Sequence, residues 1–132
     1  MIKDKISDYY DTLIRTLNEE YGEGTFSHTR SYDNSPAVFP HVYMKRLDGQ
    51  DIMQTQDGEF HGANNAVEIN AYHNKGVSEA EDWANSIRRI MTSPRYGINM
   101  ACKYHNQVDN AADASIIRFV MRFESKTTEE EQ

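Results

Sequence analysis

Five histidines are the residues here best suited to proton transfer or metal binding, and their placement encodes neither. His28, His41, His61, His73 and His105 are scattered along the chain. No two stand four apart, the spacing at which one helix face offers both rings to a metal. A zinc-type site would need three of them brought together by the fold alone. Cys102 is the one cysteine; it falls on the expected buried side of a strand, where a thiol is a small core residue. No serine sits in a strand-to-helix nucleophile elbow. Gly22-Glu23-Gly24 looks like the opening of a glycine-rich phosphate loop, but it follows a helix rather than a strand and has no third glycine. The acidic residues are spread over loops and helix starts, as solvated faces are. No catalytic residue, metal or cofactor is expected, and the chain reads as a binding or assembly protein rather than an enzyme.

Composition narrows the class further. The 132 residues suit one domain, and 38% apolar content supports one modest core. The net charge is −7, and the only adjacent basic pair on a helix is Arg88–Arg89. Both argue against a grip on nucleic-acid phosphates. No apolar run approaches the ~20 residues of a membrane span. The first residues, MIKDKISDYY, lack the apolar centre of a secretory signal. A single cysteine excludes an internal disulfide and fits a reducing compartment.

The elements that would position any site centre on Ala66 to Pro94. Val67, Ile69 and Ala71 alternate with Glu68, Asn70 and Tyr72, the period of a half-buried strand. Asn74, Lys75 and Gly76 break it. Ser78 with Glu81 three residues on has the spacing of a capping box. Ala80, Trp83, Ala84, Ile87, Ile90 and Met91 then make one apolar helix face. Glu79, Glu81 and Asp82 lie early and Arg88 and Arg89 late, as the helix dipole favours, and Pro94 stops the helix. Upstream, Ile2, Ile6, Tyr9, Tyr10, Leu13, Ile14, Leu17 and Tyr21 predict an amphipathic helix over about residues 2–20. Gly22 and Gly24 end it.

Thr25 to Ala37 reads as a polar loop. Val38 to Leu47 predicts a strand with Val38, Val42 and Met44 on one face and Phe39, His41, Tyr43 and Lys45 on the other. Pro40 places it at a sheet edge or delays its pairing until after Pro40. Asp48 to Asn65 is a long connection, read either as a projecting hairpin about Asp57-Gly58 or as a disordered loop. Ile98, Met100, Cys102 and Tyr104 share one face of a third strand, and Asn106 to Asp113 is a turn. Ser115 to Glu124 is a fourth strand, with Ile117, Phe119, Met121 and Phe123 on one face and Ile116, Arg118, Val120 and Arg122 on the other. It is expected to pair with the third as an antiparallel hairpin.

The expected fold is α+β: a single four-stranded, mostly antiparallel or mixed sheet with two helices on one face, in the order α-β-β-α-β-β. Residues 1–124 form the domain and 125–132 a flexible acidic tail. The other sheet face carries Tyr43, Lys45, Glu68, Tyr72, Arg118 and Arg122. It can face water, and its Tyr and Arg are also types that anchor protein contacts. Asp51, Asp57 and Glu59 would project from the long connection.

Pro36-Ala37-Val38-Phe39-Pro40-His41-Val42-Tyr43-Met44 resembles a strand of small proteins from long-tailed bacteriophages and prophages. A helical segment precedes it, and a loop ending Asn64-Asn65 follows. After that come Val67-Glu68-Ile69-Asn70-Ala71-Tyr72, the turn His73-Asn74-Lys75-Gly76, a Glu/Ala-rich helix over Ser78 to Met91, and a last strand with Arg118, Arg122 and Phe123. The likeness covers most of residues 1–124; Gly22 to Pro36 is longer than in that family. These proteins are similar to tail terminators, or tail completion proteins, often labelled minor capsid or head–tail joining proteins. The resemblance implies a ring of copies, commonly a homohexamer, seated on the last ring of tail-tube protein. That ring ends tube growth and offers a docking surface to a head–tail connector or neck protein. It implies residence in the virion at the head-proximal end of the tail, with assembly in host cytoplasm. It carries no catalytic residues.

A ring needs heterologous contacts, two different patches per subunit. An acidic chain suits a lumen through which DNA slides without sequence-specific binding. Tyr43, Lys45, Asp51, Asp57, Glu59, Glu68, Tyr72, Arg118 and Arg122 are the candidate interface residues. A head-side connector or stopper is the nearest alternative. A small metal-binding protein or enzyme, and a host regulatory or adaptor domain, are the readings from other classes.

Overall fold

Ile6, Leu13, Ile14 and Leu17 recur at helical spacing and are all buried. In the computed structural model of the chain, which describes residues 5–30, 38–47, 66–108 and 115–125, they line the inner side of helix α1 (Lys5–Tyr21). Five strands follow: β1 (Ser27–Thr29), β2 (His41–Arg46), β3 (Ala66–His73), β4 (Met100–Val108) and β5 (Ile117–Ser125). Helix α2 (Val77–Thr92) and a short 3-10 turn (Pro94–Tyr96) lie between β3 and β4. The expected segment 48–65, whether hairpin or loop, lies outside the described residues, as do residues 1–4 and 126–132.

The strands form one mixed sheet in the order β1-β2-β3-β5-β4. β1 runs parallel to β2, and every other pairing is antiparallel. The α+β class and the two helices are as expected; the four-stranded sheet and the order α-β-β-α-β-β are corrected. Among the described residues the chain order is helix, three strands, helix, two strands. The added strand β1 occupies part of the stretch expected to be loop. It has no apolar alternation to announce it, and specific contacts hold it instead. Phe26 is buried beside it. Ser27 N donates to Pro40 O at 3.0 Å, and Ser27 Oγ donates to Val38 O at 2.7 Å. Ser27 Oγ also lies 2.6 Å from His41 Nδ1; a hydroxyl has one hydrogen, so here the imidazole is the donor. β2 therefore begins after Pro40, as expected, and is not an edge strand.

Register explains the core. Val42, Met44, Val67, Ile69, Ala71, Phe119, Met121 and Phe123 share the face on which both helices pack, and all are buried in one cluster with them. Fully burying each of these side chains other than Ala71 contributes about 1.5–3 kcal/mol. Trp83 ties the layers together. Its ring lies 5.3 Å from that of Tyr21 and 5.4 Å from that of Phe26, and its Nε1 donates to His41 O at 3.1 Å. Outside the core, Arg89 Nη2 meets Glu20 Oε1 at 2.6 Å and fastens α2 to α1.

Three local expectations change. α2 starts at Val77, with Gly76 as its N-cap and no side-chain cap, so Ser78 and Glu81 do not form the capping box. Gly76 enters the helix at φ 102°, ψ 169°, a region that only glycine adopts without strain. β4 has a bulge between Cys102 and Tyr104. The extra residue, Lys103, reverses the alternation, so Tyr104 leaves the face of Met100 and Cys102 for the opposite one. β4 also continues through Asn106 to Val108, where a turn was expected. The helix stop is as read: Ser93 is extended and Pro94 begins a new turn.

Candidate functional site

The sheet face away from the helices is built by period-two placement from four strands. In the register, Lys45 lies opposite Glu68 and Glu68 opposite Arg122, which lies opposite Tyr104. One row along, Tyr43, Asn70, Val120 and Asn106 are aligned, and beyond them His41, Tyr72, Arg118 and Val108. Strand pairing brings these side chains together although most are far apart in sequence.

They form a connected polar network. Arg122 Nε donates to Glu68 Oε1 at 3.0 Å. Asn70 Nδ2 donates to Glu68 Oε2 at 3.1 Å, and Arg118 Nε donates to Asn70 Oδ1 at 2.9 Å. The Arg122 guanidinium lies 5.4 Å from the centre of the Tyr104 ring, a cation–π distance. Asn106 Nδ2 reaches Tyr104 Oη at 3.4 Å. The side-chain oxygens and amide nitrogen of Asn70 and Glu68 thus all have partners, and each arginine is tied to them through its Nε.

Exposure divides the predicted site residues. Lys45 and Arg122 are exposed; Tyr43, Glu68 and Arg118 are half-buried. Tyr72, expected at an interface, is only 9% exposed, with its ring 5.8 Å from that of His41. Asn70 at 2% and Val120 at 6% are also buried. Both lie between Arg118 and Arg122 in the register, whose aliphatic stems can cover such neighbours. The expectation of an open polar face is therefore corrected at its centre, and the accessible part is the Lys45, Arg122 and Tyr104 end. Asp51, Asp57 and Glu59 lie outside the described residues.

Sequence reasoning missed Asn70 and Tyr104. A polar amide at mid-strand between apolar neighbours was the available signal for Asn70, because burial demands a partner. Tyr104 gave none, since a bulge leaves no mark in an alternating pattern. Among the described residues, no group of three His, Cys, Asp or Glu stands close enough to hold a metal ion. Cys102 is half-buried against the core. His105 accepts from Arg88 Nη1 at 3.0 Å. Burial and that guanidinium hold its pKa below the usual value, against the opposing pull of Glu81. No helix among the described residues is long and apolar enough to cross a membrane.

A second feature lies at the other end of β2. The end of α1, the entry to β2, the end of β3 with the turn after it and the first turns of α2 border an open cleft of about 370 Å³. Aromatic rings and charged side chains share its walls.

No protein-family model matches this chain, and no curated protein matches its sequence.

Proposed function

We propose that this chain is a tail terminator: a subunit of a homo-oligomeric ring, of six copies, that seats on the end of a phage tail tube, stops its growth and receives the head-side neck protein. The observation that carries the reading is the sheet face away from the helices. There, strand pairing lines up exposed Lys45, Arg122 and Tyr104, and Arg122 is tied to half-buried Glu68 beside the buried Asn70 and half-buried Arg118. Arg and Tyr fixed on a rigid strand lose little entropy on docking and make good interface anchors. β4 adds a long edge: among the described residues nothing pairs with its outer side, and its unpaired peptide groups can accept a neighbouring chain. Face and edge are different patches, as a closed ring of heterologous contacts requires. The net charge of −7 suits a lumen that lets DNA pass without holding it.

Electron microscopy of the purified chain mixed with its tail-tube protein tests the reading. Rings closing tube ends, with tube length fixed at the time of addition, are the expected result. Tubes that keep growing past the added protein would reject it. In virions lacking the gene, overlong tails identify a terminator, whereas heads that leak DNA identify the head-side stopper.

A further inference from the structure

The cleft beside α2 has walls with three distinct chemistries. Tyr21 and Phe39 supply aromatic surface, and Trp83, only 2% exposed, backs them. Glu79 and Asp82 supply charge; with Trp83 they are three and four apart on α2, hence on one face of it. Both carboxylates are exposed, and among the described residues neither has a salt-bridge partner. Among the described residues Lys75 is the one lysine or arginine in the lining, so with a neutral imidazole those residues make the cleft net negative.

His73 supplies the third chemistry. It lines the cleft and is 7% exposed. Its Nδ1 accepts the Asn74 backbone N–H at 3.0 Å. A ring nitrogen that accepts carries no hydrogen, so the neutral ring bears its proton on Nε2. Burial lowers the pKa of this ring and favours that neutral form, against the pull of Glu79. Nε2–H makes no hydrogen bond to the described residues and, unlike His41 Nε2, is not sealed from solvent, so a ligand acceptor can reach it.

A matching ligand brings a cation for the two carboxylates, a flat group for the aromatic walls and an acceptor for the imidazole N–H. An anion would meet Glu79 and Asp82. A bare metal ion would leave the aromatic surface and the His73 donor unused. An arginine within a peptide has all three features. Its planar guanidinium stacks on rings and binds carboxylates through two parallel N–H groups, and a peptide carbonyl lies a side-chain length away. The volume of about 370 Å³ accommodates one such side chain with its adjoining backbone. We infer that this cleft binds an arginine side chain presented by a polypeptide segment. The inference is independent of the tail-terminator reading.

Trp83 is the chain's single tryptophan, so its emission reports on the cleft directly. The full chain is titrated with an acetylated, amidated Gly-Arg-Gly peptide and with the same peptide carrying citrulline, which keeps the shape and removes the charge. The expected result is a saturable change in Trp83 emission with the arginine peptide and binding at least about tenfold weaker for citrulline. A Glu79→Gln, Asp82→Asn double variant, at exposed positions, is expected to fold normally and to lose the arginine peptide by a similar factor. Equal binding of the two peptides would overturn the inference. So would full binding by the double variant, or the absence of both an emission change and a shift of the Trp83 indole N–H resonance. If Trp83 emission also varies with the concentration of the protein alone, and the peptide suppresses that variation, the arginine comes from a second copy. A flat response assigns it to another polypeptide.

Discussion

Arg122 and Glu68 face each other directly across the β5–β3 pairing, and their side chains meet at 3.0 Å. The pair is unequal, because the Arg122 side chain is 53% accessible and that of Glu68 14%. Solvent screens the guanidinium, so the attraction is worth little despite its geometry. A double-mutant cycle with Arg122→Ala and Glu68→Ala, followed by urea unfolding, is expected to give a coupling of about 0.2–1 kcal/mol. The coupling should shrink as salt rises. Glu68→Ala alone should cost more than Arg122→Ala, because it also strands the Asn70 amide, which is buried. Equal single-variant costs would show that Asn70 does not depend on Glu68.

Gly76 offers a sharper test of backbone strain. A Cβ there meets nothing within 4 Å, yet φ stands at +102°. Gly76→Ala is therefore expected to destabilise the fold by about 1–3 kcal/mol without any clash. Gly76→Asn should cost no less, since ψ of 169° lies far from the left-handed helical region that asparagine tolerates. Thermal or urea melts would read both.

What was legible beforehand follows the physics of each segment. The α2 face from Ala80 to Met91 and the β5 alternation from Ile117 to Phe123 were readable because burial alone decides those positions. β1 was not, because its three residues Ser27, His28 and Thr29 are placed by hydrogen bonds to a segment more than ten residues on. His28 also meets the Tyr10 hydroxyl of α1 at 2.6 Å. The face of Tyr104 was misassigned because one inserted residue reverses the pattern downstream. At the candidate site, Glu68, Arg118 and Arg122 were placed on the correct face by period two alone. Their linkage through Asn70 depends on which strands are neighbours, and the β3–β5 adjacency does not follow from chain order.

His73 and His105, whose pKa values are lowered, give the stability a pH dependence. His105 is shifted first by burial and then by Arg88, and His73 first by burial. In the unfolded chain both titrate near their ordinary value of about 6.5. Below that pH the unfolded state takes up protons that the folded state does not. Stability is therefore full above about 6.5 and falls as pH drops through the depressed folded values. Urea midpoints measured from pH 7.5 to 5 are expected to decline. His105→Gln should flatten part of that decline, since a neutral amide can still accept from Arg88. An unchanged slope in that variant would mean that the His105 environment does not outlast the crossing into acid.

Assembly and folding should separate at the accessible end of the site. Lys45 and Tyr104 are both exposed, the latter 39%, and neither belongs to the buried cluster. Lys45→Ala and Tyr104→Ala are expected to alter monomer stability by no more than about 0.5 kcal/mol each; Tyr104 stands nearer that limit because it backs Arg122. If this face meets a neighbouring subunit, the same two changes remove an aromatic anchor and a steering charge at once. The double variant should then fail to close tube ends at concentrations where the parent succeeds, with its melting curve nearly superposed on the parent's. Capping at parental concentrations would move the subunit contact off this face and leave the β4 edge as the remaining candidate.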